Sequence, residues 1–238
     1  MKYNATHQDT RPSTDELKAS LGPADLRVVA YNGQDGASLE DIEERLERDL
    51  GPDHLRMLRG ESGISAEDIL SRGYFTVTDP ERLRELGFAE YQLRTPVLVV
   101  PVHGVKDGPL FYRSRPDDPR ERKNGPGKFT KYEQPVGTGV VLDVPPRARP
   151  MLSDAGKRLW IVEGEKKADS LVSRGECAVA LLGVWSWKRD GLPLPDWDDI
   201  RLVGREVVVA FDSDAERKVE VRMARQALAE YLIGRGVR

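Results

Sequence analysis

Two apolar runs in the C-terminal half of this sequence end in acidic residues of the kind that hold a divalent cation. RLWIVEG ends in Glu163-Gly164, and EVVVAFDSD, about fifty residues further on, ends in Asp212-Ser213-Asp214. Continuous apolar runs are the pattern of strands buried on both faces of a parallel sheet. In an open sheet of that kind ligands sit beyond the carboxyl ends of the strands. Glu163, Asp212 and Asp214 are therefore expected to converge at one place, from strands that can be neighbours. Three carboxylates so placed repel one another unless a cation lies between them. Mg2+ suits the group, because it takes hard oxygen ligands, one or two carboxylates at a time, and leaves its other positions to water and phosphate; Mn2+ accepts the same donors. Gly164 is expected to let the backbone pass close to the site without a side chain in the way. Asp-Ser-Asp ahead of a helix also matches an ordinary N-cap, so the expectation rests on the joint placement of the two elements.

A second set of residues carries the opposite charge. Between Arg113 and Lys131 there are seven Lys or Arg residues against three acids, and Gly125, Pro126 and Gly127 interrupt the run. A basic segment of this kind can track a phosphate backbone, each contact releasing counterions. Arg suits bidentate phosphate contacts and Lys acts as a point charge. Arg113, Arg115, Arg120, Lys128 and Lys131 are the candidates here. Lys166, in the first turn of the helix after Gly164, is a further one. A solvated loop would have the same composition. Gly125-Pro126-Gly127-Lys128 is not a phosphate-binding P-loop, because the required spacing is broken and Phe129 follows the lysine.

The elements that must position these groups alternate from residue 151 onward. Strand RLWIVEG, helix EKKADSLVSRG, strand CAVALLGV, strand EVVVAFDSD and a helix from about residue 216 to 233 predict a parallel α/β sheet covered on both faces. Ahead of them, PVLVVPVHG and GPLFYRSRP read as a hairpin. The stretch 38–50 places Leu39, Ile42, Leu46 and Leu50 on one helical stripe with Ser38 as N-cap; its acids and arginines are a solvated face. Two more helices are predicted at 65–72 and 79–86, the latter with Asp79 as N-cap and Pro80 in its first turn. The organisation read from this is a mobile arm over 1–37 and a helical subdomain over 38–95. A mixed strand and basic-loop subdomain then spans 96–150, and the α/β domain 151–238. The fold class is α/β: a parallel sheet with helices on both faces, preceded by a small α+β part.

WIVEGEKKADSL and VVVAFDSDAERK resemble the first strand and helix and the D-x-D strand of the Toprim domain, which primases of bacterial type, topoisomerases, gyrase-type enzymes and certain nucleases share. With LLGVWSWKRDGLPLPDW between them, the segment is similar to Toprim-like proteins of phages, plasmids and integrative elements. The order PVLVVPVHG, LFYRSRPD, KFTKYEQP ahead of Glu163 also resembles the N-terminal half of a bacterial-type primase RNA-polymerase core. The resemblance implies a catalytic acid or base at Glu163, with Asp212 and Asp214, joined by Glu163, holding Mg2+. It also implies that the basic residues line the path of a single-stranded DNA template or of incoming nucleotides, and that a replicative helicase is the partner. Primer synthesis by nucleotidyl transfer is the implied reaction. Phosphodiester hydrolysis by a Toprim nuclease, or nucleic-acid binding without catalysis, are the alternatives. Two departures stand out. The Toprim pattern adds a further strand after the last helix, where this sequence reaches Gly236-Val237-Arg238, so a truncated sheet is expected. The zinc ribbon by which such primases recognise template has no Cys/His set here.

Composition limits the remaining classes. The chain has 238 residues, 39% of them hydrophobic, and a formal charge of −3, so polyanion binding must come from a local basic face or from bound metal. One cysteine, Cys177, sits in an apolar run and makes neither a disulfide framework nor a zinc site. A signal-peptide core is lacking at the N-terminus, and no run of about 18 apolar residues spans a membrane, so a cytoplasmic protein is expected. His54 and His103 have no partner spacing for a metal or a triad and read as structural. Trp185 and Trp187 read as packing against the sheet edge, or as a surface for stacking a base.

Overall fold

The computed structural model describes residues 38–122, 125–212 and 218–238. The expected arm over 1–37, together with Ser213, Asp214 and Lys123, lies outside the described residues. Two sheets organise the chain. The first, ordered β1–β2–β3, is antiparallel and consists of β1 (Phe75–Val77), β2 (Val97–Val102) and β3 (Phe111–Pro116). The second is built on β7 (Leu159–Glu163), β8 (Cys177–Leu181) and β11 (Val207–Ala210), all parallel, with β6 (Leu142–Asp143) added antiparallel beside β8. Its order is β11–β7–β8–β6. Short pairs form β4 (Glu121–Arg122) with β5 (Gly125–Phe129) and β9 (Lys188–Arg189) with β10 (Leu192–Pro193). The α/β expectation holds: a mostly parallel sheet flanked by helices.

The helices start where the sequence supplies caps. At α1 (Leu39–Asp49) the Ser38 hydroxyl accepts from the Asp41 amide, and the Asp41 carboxylate accepts from the Ser38 amide in return, a capping box. After α2 (Pro52–Arg56) the chain makes a wider turn over Met57–Glu61. Ser65 caps α3 (Ala66–Arg72), which Gly73 closes with φ +80°, and Asp79 caps α4 (Pro80–Glu85), with Pro80 in its first turn. In the parallel unit, α5 (Glu165–Val172) follows β7 directly, and α6 (Val219–Gly234) follows β11.

The stretch expected to be helical does not form a core of its own. Ile42, Leu46, Leu58, Ile69 and Tyr74 pack against Leu98 and Val100 of β2, and β1, a strand not anticipated there, pairs with β2. The parallel unit has the larger core, in which Ile161, Val179 and Leu181 meet Ala168 and Val172 of α5 and Leu228 and Leu232 of α6. Cys177 is buried in it, as its apolar surroundings imply.

A buried polar knot joins the two halves. Arg72, at the end of α3, is fully enclosed. Its Nη1 donates to Asp143 Oδ1 at 2.6 Å and to the Pro101 carbonyl, and its Nε and Nη2 clasp the Asp169 carboxylate of α5, the shorter contact 2.7 Å. The Tyr74 hydroxyl donates to the same carboxylate, and the Asp143 carboxylate accepts from the His103 amide. Alongside it, the Ser173 hydroxyl accepts from the Ser65 amide and donates to Asp68. The helix that carries Glu163's neighbour residues is thereby fixed to the N-terminal half.

Candidate functional site

Glu163 is the last residue of β7, aligned with Leu181 of β8. On the other side, Val162 aligns with Ala210, so Asp212 stands two residues past the end of the adjacent parallel strand. Parallel strands lie about 4.8 Å apart, and the two acids meet at the carboxyl edge of the sheet, as the strand-ending pattern predicts. Asp214 lies outside the described residues. Gly164 has φ +92° and ψ 143°, and its amide donates to the Leu181 carbonyl. A Cβ there would meet nothing within 4 Å. Glycine is needed for the turn's handedness, rather than for the closeness that the sequence suggests.

A cleft of about 370 Å³ opens at this edge, lined by Arg113, Arg115, Lys131, Tyr132, Glu163 to Lys167, Leu181, Leu182 and Asp212. Five cationic side chains and three carboxylates thus face one space, a surplus of positive charge that suits a polyanion. The antiparallel sheet supplies its basic wall. Arg113 and Arg115, two apart on β3, share a face of the strand, and an isolated bridge between Ser114 and Glu133 lays the segment of Lys131 and Tyr132 alongside them.

The opposite charges inside the cleft are paired. Arg113 Nη1 donates to Glu165 Oε1 at 2.6 Å, while its guanidinium lies 4.8 Å over the Tyr132 ring. Glu165 is fully buried, and its second oxygen and the Arg113 Nε have no partner. Burial, reinforced by Glu165, pushes the Tyr132 phenol up to about 12. Burial, together with Arg115, holds the Lys166 amine below the ordinary lysine range. Lys167 donates to Asp212 Oδ1.

Four of the six basic candidates therefore line the cleft: Arg113, Arg115, Lys131 and Lys166. Two do not. Arg120 is held by the buried Glu133 carboxylate and lies over the Tyr91 ring at 5.2 Å. Lys128 is exposed on the β4–β5 hairpin. Arginine content cannot separate an arginine that pairs within its own subdomain from one that faces a ligand. Lys167, weighed with Lys166 as a phosphate contact at this helix start, lines the cleft as well. Glu165 and Tyr132 were not among the candidates. Their signal was position alone: Glu165 opens the helix after Glu163-Gly164, and Tyr132 follows Lys131. His54 and His103 are structural. His54 bonds Thr76 and Asp117, and His103 bonds the Arg72 carbonyl. Trp187 is buried and stacks on Tyr231 with ring centroids 5.4 Å apart, whereas Trp185 remains 39% exposed.

No group of three metal-ligating side chains is assembled among the described residues. Glu163 and Asp212 line one cleft, and Asp212 already accepts from the Lys167 ammonium, so the donors present are of the hard-oxygen kind that suits a divalent cation.

The fold has a counterpart among solved structures. The Aquifex aeolicus primase, in its zinc-binding and RNA-polymerase domains, superposes with a TM-score of 0.56 at 14% identity, over 85% of this chain and 54% of its own. The chain is similar in fold to a bacterial primase core. It spans about half the length of that two-domain chain. The RNA-polymerase domain of the Mycobacterium tuberculosis primase DnaG matches with a TM-score of 0.46 at 15% identity, over 91% of this chain and 71% of its own. A DnaG primase catalytic domain bound to single-stranded DNA matches with 0.47 at 16%, over 79% and 63%. Residues 151–238, which hold the parallel unit of the primase-like core, match the family described as Domain of unknown function (DUF3854). A search of curated proteins finds no match. No helix among the described residues is long and apolar enough to cross a membrane.

Proposed function

We propose that this chain is the core of a primase-type nucleotidyltransferase that joins nucleotides on a single-stranded DNA template, with Mg2+ or Mn2+ as cofactor. The observation that carries the reading is the shared cleft, in which the acidic strand ends of the parallel sheet face the basic strand β3 and Lys131. A nuclease too must hold the backbone phosphates of its substrate, but a polymerase must in addition hold the triphosphate of a nucleotide, and the surplus of cationic groups suits that larger demand. Glu163 and Asp212, joined by Asp214, would hold the metal, which supplies Lewis-acid charge at the reacting phosphate.

The chain's own groups then divide the work. Arg113, Arg115, Lys131 and Lys166 hold the phosphates of the nucleotide or the template, so that the reacting phosphorus and the 3′-hydroxyl of the growing primer meet in line. The hydroxyl oxygen bonds to the α-phosphorus, the bond from that phosphorus to the bridging oxygen breaks, and pyrophosphate leaves. Glu163 takes the proton that the hydroxyl releases. The cationic wall stabilises the charge that develops on the departing pyrophosphate. Template recognition and a replicative helicase belong to the same reading as partners, in the replication of a phage or other mobile element.

The test is incubation with Mg2+, labelled nucleotides and single-stranded DNA, beside the Asp212→Asn variant. Oligonucleotide products that the variant does not make are expected. Shortened DNA would replace the reading by a nuclease, and binding without either product by a binding module.

A further inference from the structure

We propose that Lys167 is the resident counter-cation of Asp212, occupying the carboxylate until a divalent cation displaces it. The inference rests on Glu163 and Asp212 being cation ligands. Lys167 lies in the first turn of α5 and Asp212 just past β11, on neighbouring strand ends, and the ammonium donates to Asp212 Oδ1. A metal at this edge would take the same oxygen, so the two cations compete for one position. Both side chains are about half exposed, 45% and 56%, so the ammonium can move into water at small cost. An exposed ion pair is a weak competitor, shifting an equilibrium by about fivefold at most. It is strong enough to keep the acidic edge neutralised and too weak to keep a metal out.

The adjacent residue provides the control. Lys166 lines the same cleft, but it faces Arg115, Glu61 and Glu165 rather than Asp212. Removing its charge changes the general field of the cleft and leaves the competing pair intact.

The experiment is titration of the full chain with Mn2+, free ion being read by electron paramagnetic resonance. The wild type, Lys167→Met, Lys167→Gln, Lys166→Met and Asp212→Asn are compared. Lys167→Met and Lys167→Gln are expected to bind Mn2+ more tightly than the wild type, by more than about twofold and up to about fivefold, Lys166→Met to stay within about twofold of it, and Asp212→Asn to lose the site. Unchanged or weaker binding by the Lys167 variants, with the wild type binding normally, overturns the inference alone. So does an equal tightening in Lys166→Met, which would assign the effect to the field of the cleft. If the wild type binds no Mn2+, the cation-ligand reading falls together with the inference.

Discussion

Arg113 and Glu165 meet at 2.6 Å across the cleft, one from an antiparallel strand and the other from the first turn of a helix in the parallel sheet. Their side chains are 11% and 1% exposed. A buried pair of this kind gains little over an apolar pair of equal volume, but breaking it by removing one partner is costly. Glu165→Ala leaves the Arg113 guanidinium enclosed with no anion and is expected to lower unfolding stability by about 3 kcal/mol. The double variant Arg113→Met with Glu165→Leu should recover most of that loss in urea unfolding while weakening nucleotide binding. If the double variant were as unstable as the single one, the pair would not be the cause.

Arg72 carries a larger share of the junction. It neutralises Asp143 and Asp169 at once, and all three are enclosed. Arg72→Met should destabilise by about 3–5 kcal/mol, since two carboxylates then stay buried without a cation. Arg72→Lys should fall between, because an ammonium cannot clasp Asp169 through a planar fork. Chemical denaturation of the three proteins measures this directly, and a midpoint unchanged in Arg72→Met would remove the knot from the account of how α5 is held.

His103 gives the fold a dependence on acid. Its Nε2–H donates to the Arg72 carbonyl at 2.8 Å, and Nδ1 faces the Arg149 guanidinium at 3.3 Å, a neutral tautomer with no room for a second proton. Burial, then Arg72, pulls its pKa down to about 3. The unfolded chain binds a proton below about 6.5 and the folded chain does not, so this contribution is complete above 6.5 and is lost as pH falls towards 3. Between pH 7 and 5 the loss is about 2 kcal/mol. Asp169 acts in the opposite direction. Burial pushes its carboxyl up to about 6, so its protonation on acidification favours the folded state and offsets about 1 kcal/mol of that loss. The two are separated by comparing the wild type with His103→Gln at each pH. The difference in unfolding free energy is expected to shrink by about 2 kcal/mol from pH 7 to 5, and a constant difference would contradict a neutral, buried His103.

The frame of the site was legible because burial writes itself into composition. LWIV and VVVAF are unbroken apolar runs, the pattern of strands in a parallel sheet, although β11 at the sheet's edge is only half-buried, and an acid at the end of such a run falls at the sheet's carboxyl edge. The caps of Ser38 and Asp79 were equally plain, since a short polar side chain before a helical stripe has a local hydrogen bond to make; Ser65, read as part of its helix, is a third cap. What could not be read depended on partners distant in sequence. Arg72 and Asp169 lie on amphipathic helices, where a charge reads as solvated, and only the tertiary fold brings them together. The two-residue strand β6 is too short to leave a pattern. Arg113 and Arg120 look alike in the sequence; one, on β3, faces Glu165 in the cleft and the other, in the loop beyond that strand, pairs with Glu133 outside it.

Gly164 connects backbone conformation to the site. It sits between Glu163 and Glu165 with φ +92°, a region that side chains disfavour, and a Cβ would touch nothing within 4 Å. Gly164→Ala therefore introduces strain and no collision, and about 1–3 kcal/mol of stability is expected to be lost. The chain can relieve the strain only by rotating about this residue. That would re-aim Glu163 on one side and shift Glu165, hence Arg113, on the other. Mn2+ affinity and nucleotide affinity are thus expected to fall together in Gly164→Ala, although no side chain in contact with either has changed. Loss of stability with both affinities intact would mean that the strand end and the helix start are held by the sheet and by Arg72 rather than by the turn between them.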